Sequence, residues 1–186
     1  MKRESRVLGV DDAPFDKDNK KEKVLVVGVV FRGGNFMDGV ISGNVLVDGE
    51  DATDEIARMV KDSKFYHDLK CIMLKGIAVA GLNVIDIKRL FKETGIPVMV
   101  VMRKNPGKDI VSVLEKLGMD EKTRMVEKAG GIAEVNGLFI QSAGLERSEI
   151  KELLEVTVTR SGIPEPLRVA HLIAGGVVNG ESKGKA

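Results

Sequence analysis

The segment that most constrains the fold is "CIMLKGIAVAGLNVIDIKRLFKETGIPVMVV", Cys71 to Val101. An apolar run ends at a lysine and a glycine, a glycine-bearing loop follows, and Val84, Ile87, Leu90 and Phe91 recur at helical spacing before Gly95 closes the helix. "IPVMVVM" is then a nearly continuous apolar strand, the pattern of a parallel strand covered on both faces. Strand, helix, strand at this length is a crossover unit, and crossovers of this kind are right-handed. In such units the residue at the carboxyl end of the strand is the one that reaches a ligand. Here that residue is Lys75.

The chain before this block reads differently. "RVLGVDD" is a short first strand ending in two carboxylates. "KVLVVGVVFRGG" and "FMDGVISGNVLVDG" are valine-rich and joined by a short connection, so they predict an antiparallel pair turning at Gly33 and Gly34. "DATDEIARMVKDSKF" places Ile56, Met59 and Val60 on one helical face, with Asp51 or Thr53 able to cap it. After the crossover come the helix "DIVSVLEKLG", ending at Gly118, and a charged helix over 120–128. A hairpin at Asn136-Gly137, a helix through "SEIKELLEVTVTRSG" and a proline-opened helix through "PEPLRVAHLIAGGVVNG" complete the chain. The order predicts an α/β fold, a mixed sheet covered by helices, in one domain over 1–186. The first and fourth strands should lie parallel and adjacent, which brings Asp11 and Asp12 close to Lys75.

Composition narrows the function classes. Lysine plus arginine total 29 and aspartate plus glutamate 28, so the net charge of +1 gives no strong overall attraction to nucleic acid. With no tryptophan and one tyrosine, aromatic surface for stacking bases is scarce. The one cysteine, Cys71, excludes an internal disulfide and reads as a buried thiol. No apolar run reaches the length of a membrane span and "MKRESRVLGV" lacks the apolar stretch of a signal peptide, so the expectation is a cytoplasmic protein with no membrane partner.

Candidate chemistry centres on carboxylates at strand ends. Magnesium takes a few carboxylate oxygens plus water, and two-metal nucleases hold such carboxylates on neighbouring strands. Successive residues of a strand point to opposite faces, so one of Asp11 and Asp12 faces a site, and Asp11 is favoured. Asp48, Glu50 and Asp51 sit at a strand-to-helix boundary, where acidic residues also suit the helix dipole without any catalysis. His171, in "PEPLRVAH", is either structural or a general acid near the carboxylates, whereas His67 reads as surface. The "GESKG" at Gly180 is no nucleophile elbow, because it follows a helix.

"GVDDAPF", the "KGIAVAGLNVIDIKRLFKETGIPVMVV" block and "PEPLRVAH" together resemble the archaeal family called domain of unknown function ninety-nine, and more distantly endonuclease V, over nearly the full length. The resemblance implies an RNase H-like fold and a nuclease that cuts a phosphodiester of nucleic acid with magnesium, for which manganese can substitute. It implies Asp11 as the first metal-binding aspartate, Asp48 or Glu50 as the intermediate acidic ligand, and His171 near the metal. Catalysis would then involve Asp11, Lys75 and His171, with Arg32, Gly76, Gly81, Lys104 and Arg168 against substrate. Lys104, Lys108 and Lys183 would build a basic groove.

Two departures stand out. Lys75 occupies the place of the nuclease's second aspartate, and "FRGGNFMDGVISG" holds no aromatic-proline wedge. An ammonium there can pair with Asp11 and fill the metal's place, or meet a phosphate as a point charge. Repulsion of an incoming magnesium would cost about 1–4 kcal/mol. A non-catalytic binding module with no metal is therefore the alternative to a nuclease, and a small-molecule protein using the Gly76–Gly81 loop is a third reading.

Overall fold

The computed structural model describes residues 4–20, 22–106 and 109–183. Chain order is β1 (Arg6–Asp12), β2 (Lys23–Arg32), β3 (Phe36–Leu46), α1 (Ala52–Lys61), a short 3-10 turn (Tyr66–Asp68) and β4 (Leu69–Leu74). The hairpin β5 (Ala78–Val79) and β6 (Asn83–Val84) precedes α2 (Ile87–Thr94) and β7 (Val98–Met102). Then follow α3 (Asp109–Lys116), α4 (Asp120–Lys128), β8 (Ala133–Val135), β9 (Leu138–Ala143), α5 (Arg147–Thr157) and α6 (Glu165–Asn179). Seven strands form one mixed sheet in the order β3-β2-β1-β4-β7-β9-β8. β1 and β4 are parallel, as are β4 and β7, while the outer pairs are antiparallel.

The period of two sorts the strand residues cleanly between two cores. Leu8, Val26, Ile72 and Val100 face a layer built from α1 to α4. Val7, Val29, Met73 and Met99 face a layer built from α5 and α6. The alternation continues past the apolar residues: Gly9, Asp11 and Lys75 share the α6 side with Val7 and Met73, and Asp12 falls on the other. Because Val10 pairs with Leu74, Asp11 and Lys75 leave the sheet side by side.

Gly9 is where α6 comes closest. A Cβ there would lie 2.3 Å from the carbonyl carbon of Pro166 and 2.6 Å from the amide nitrogen of Leu167. Both are main-chain atoms at the start of α6, so the glycine lets helix and strand backbones touch.

Helix boundaries follow the caps rather than the apolar spacing. Asn83 and Val84 belong to β6, and α2 starts only at Ile87, where Asp86 as N-cap accepts from the Arg89 amide. Gly95, with φ 69°, ends α2 as the sequence predicts. Asp51 occupies the N-cap position of α1 but makes no capping bond; its carboxylate accepts from the Leu46 amide and the Asn83 side chain. The buried Asn83 instead supplies the acceptor for the Ala52 amide. For α5 the capping box is Glu146 with Glu149, so the helix starts one residue before Ser148.

Candidate functional site

Asp11, Lys75 and His171 meet at the carboxyl ends of β1 and β4, where α6 crosses them. Lys75 Nζ lies 2.9 Å from Asp11 Oδ2 and 2.9 Å from His171 Nδ1, and His171 Nδ1 lies 2.9 Å from the same carboxylate oxygen. The Asp11 side chain is 7% exposed, that of Lys75 28% and that of His171 24%, so the cluster sits at the floor of an opening rather than in the core.

The triangle obeys a simple proton count. Asp11 Oδ2 as carboxylate only accepts and an ammonium only donates, whereas Nδ1 does one or the other. If Nδ1 carries its proton, the lysine–histidine edge has two donors facing each other. If it does not, the histidine–aspartate edge has two acceptors. With an ammonium, therefore, at most two edges are hydrogen bonds. When Lys75 gives up a proton its lone pair accepts from Nδ1–H, which it shares with Asp11, and every edge is satisfied.

Asp12 reaches the opposite layer. Its carboxylate accepts from the Ala80 amide at 2.7 Å, and Ala80 holds a left-handed backbone, φ 47°, with its carbonyl accepting from the Asp48 amide. Burial pushes the Asp12 carboxyl up to about 6, with the Ala80 N–H pulling it down and the neighbouring Asp11 charge adding to the rise.

Two cavities open beside the triangle. One of about 260 Å³ is lined by Lys75, Gly76, Val101, Met102, Arg103, Ile163 and Leu167. The second, about 600 Å³, shares Gly76 and Met102 with it and extends between α3, α4 and the Gly130-Gly131 turn, where the buried Gln141 forms part of its wall.

Several expected residues lie elsewhere. Asp48 sits beyond the β5–β6 hairpin: it accepts from the Leu82 amide at 2.8 Å and pairs with Lys20, while its carbonyl accepts from Lys122. Burial opposes this charge, but those donors hold the Asp48 carboxyl below its usual value. Asp48 and Glu50 do not join Asp11, and no group of three or more His, Cys, Asp or Glu side chains able to hold a metal forms among the described residues. The β3–α1 turn is anchored to that hairpin, on the face of the sheet that Asp12 and not Asp11 points to, which is the physical reason.

Arg32 pairs across from Arg6, at the far end of β1 and about 17 Å of strand from Asp11. There it bonds Asp38 and stacks over Phe36. Gly81 packs against Asp48, where a Cβ would stand 2.3 Å from Oδ1, so its role is local close packing. Arg168 is held by Glu165 and Lys183 pairs with Glu181, while Lys104 is exposed in the loop after β7. Lys108 falls outside the described residues. Gly76 does line both cavities. Arg103, Met102 and Leu167 were not foreseen, yet the strand-end rule finds the first two: β7 runs parallel to β4 with Val100 beside Leu74, so Met102 and Arg103 emerge next to Gly76.

A family model described as endonuclease dU matches residues 3–178. The chain belongs to the endonuclease dU family. A UPF0215 protein of the archaeon Methanothermobacter thermautotrophicus is 47% identical over 192 residues, covering 100% of this chain and 94% of that protein. Another from Pyrococcus furiosus is 41% identical, covering 98% of this chain and 96% of its own. A crystal structure of a protein of unknown function from Archaeoglobus fulgidus superposes with TM-score 0.86 at 39% identity, over 93% of this chain and 98% of that one. Endonuclease V of Bacillus subtilis superposes with TM-score 0.61 at 11% identity, covering 95% and 81% of the two chains. That of Ciona intestinalis, in complex with a DNA containing inosine, gives 0.57 at 13% identity, covering 89% and 82%. These last two likenesses establish the RNase H-like, endonuclease V-like fold expected from the sequence.

Proposed function

We propose that this chain, as one domain in the cytoplasm, acts on nucleic acid at the Asp11–Lys75–His171 triangle and cuts a phosphodiester next to a base held in the neighbouring cavity. The observation that carries the reading is the triangle itself, set at the paired ends of two parallel strands, with Lys75 lining one cavity and a larger one next to it across Gly76 and Met102. At about 600 Å³ the larger one has the size of a small-ligand site, and enzymes that act at a base commonly extrude it from the stack. The family description supports deoxyuridine as the nucleotide to test first.

Magnesium, or manganese in its place, is the cofactor the resemblance implies, and the donor set does not suit it. Magnesium wants octahedral oxygen ligands, usually including one or two carboxylates. Here Asp11 offers one carboxylate whose Oδ2 already faces the Lys75 Nζ at 2.9 Å, Asp48 is committed to Lys20 and the Leu82 amide, and no group of three or more His, Cys, Asp or Glu side chains able to hold a metal forms among the described residues. Lys75 stands where the cation would be. In this site the lysine neutralises charge developing on the phosphate oxygens. His171, oriented by Asp11, is the side chain in reach that takes or returns a proton.

The test is an oligonucleotide with a single deoxyuridine, incubated with the protein in magnesium and in EDTA. Cleavage beside the lesion that survives EDTA, falls about 100-fold in His171→Ala and vanishes in Lys75→Met is the expected result. Tight binding without cleavage would favour a binding module, a reading that the Lys75–Asp11 ion pair also supports. Calorimetric titration of magnesium into the native chain and Lys75→Asp completes the test: micromolar binding by the native chain would overturn the metal-free reading.

A further inference from the structure

We propose that Lys75 is also a covalent nucleophile, and that the site carries a lyase activity on abasic deoxyribose in a nucleic-acid strand. The substrate class rests on the nucleic-acid reading above; the chemistry rests on the lysine's surroundings.

A lysine that serves only as a counter-ion needs one carboxylate. Lys75 has two partners of different kinds, the Asp11 carboxylate and the His171 ring nitrogen, both at 2.9 Å. That pairing orients the amine and gives its proton somewhere to go, the arrangement an amine nucleophile requires. The Lys75 side chain is also 28% exposed and lines the 260 Å³ cavity together with Gly76, Met102 and Leu167. Gly76 directly follows the lysine and has φ 109°, so the chain turns away there and no side chain stands at that position. At the rim, Arg103 supplies an exposed guanidinium suited to a strand phosphate. An apolar-walled chamber with one oriented amine and one peripheral cation fits a small sugar aldehyde flanked by phosphate better than it fits a planar base.

The steps balance without metal, oxidant or reductant. His171 Nδ1 takes the ammonium proton of Lys75, and the freed Nζ lone pair attacks C1′ of the ring-opened sugar, forming a C–N bond as Nδ1 passes that proton to the aldehyde oxygen. His171 Nδ1 accepts the proton shed by nitrogen and returns it to the carbinolamine oxygen, which departs as water and leaves a protonated imine. Nδ1, again bare, removes a proton from C2′. The C2′–H electron pair becomes the C2′=C3′ bond, the C3′–O bond breaks, and the 3′ oxygen leaves on the phosphate that becomes the 5′ end of the downstream fragment. Water then hydrolyses the imine, freeing Lys75 and an unsaturated aldehyde. Asp11 holds the amine in register, and the ring whenever Nδ1 carries the proton, and is a positioning residue.

The experiment uses the full chain in EDTA with an oligonucleotide carrying one abasic site, and sodium borohydride to reduce the imine to a stable amine. The expected outcome is a covalent protein–DNA adduct that peptide mass spectrometry locates on Lys75. Lys75→Arg keeps a cation beside Asp11 but has no competent amine, and should lose the adduct while melting like the native chain. His171→Ala should slow trapping at least about tenfold. No adduct with the native chain, an adduct mapped to another lysine, or an undiminished adduct in Lys75→Arg would each overturn the proposal. The deoxyuridine assay runs separately. Cleavage there without trapping sinks only the lyase, and trapping without cleavage there sinks only the nuclease reading.

Discussion

Asp11 and Asp12 are the same residue type, adjacent on one strand, and the sheet sends them into different chemistry. On the α6 side Asp11 meets a lysine and a histidine, and its charge is answered by a cation. On the other side, among the described residues, Asp12 meets main-chain N–H groups and its neighbour's negative charge, and burial raises its carboxyl to about 6. A carboxylate is thus not a ligand or a base by virtue of its place in a motif. What faces it decides, and the pleat decides what faces it.

Three substitutions probe this contrast. The largest effect belongs to Gly9→Ala, which inserts a Cβ 2.3 Å from the Pro166 main chain and cannot be relieved by a rotamer change. It should destabilise by about 3 kcal/mol, seen as a lower urea midpoint, because overpacking a rigid contact forces backbone shifts. An unchanged midpoint would mean that α6 is free to slide on β1. Next, Lys75→Met removes the cation from a nearly buried carboxylate and should cost about 2 kcal/mol, within the range for losing a charged hydrogen-bond partner. A loss below about 0.5 kcal/mol would show that the pair contributes little beyond packing.

The smallest effect, and the one of opposite sign, is expected for Asp12→Asn. The folded chain holds a proton on Asp12 up to about pH 6, whereas an unfolded aspartate releases it near 3.8, so this group lowers stability as pH rises between those values. Asparagine keeps an acceptor for the Ala80 amide without the charge. It should gain about 1 kcal/mol at pH 7 and remove that decline, measured by urea denaturation across pH 4 to 7. If the native and variant curves run parallel, burial is not what the Asp12 charge pays for.

Much of this was legible in the sequence because it depended on short-range rules. The crossover block predicted β1 beside β4, and alternation along "VLGVDD" meant that one of Asp11 and Asp12 faced the site; the Val10–Leu74 register makes it Asp11, the one favoured. His171 joined them as expected from "PEPLRVAH". Asp48 and Glu50 failed because the path of the β3–α1 turn depends on long-range bonds to Leu82, Ala80 and Asn83, which no local pattern announces. Arg32 failed for a simpler reason: it ends β2, which runs antiparallel to β1, and so lies opposite Arg6 at the wrong end of the sheet. Arg103 was missed although the rule that singled out Lys75 applied equally to β7.

Gly9 has one more consequence. Where side chains separate two elements, the gap between them is elastic: neighbouring rotamers can widen or narrow it. At Gly9 the main chain of β1 meets the main chain of α6, so the spacing there is set by atomic radii and not by what fills the cores around it. Asp11 lies two residues along from that contact and His171 just over one turn beyond it on the helix. Their separation is therefore gauged by a rigid stop, and the chambers on either side can be reshaped by substitution without detuning it.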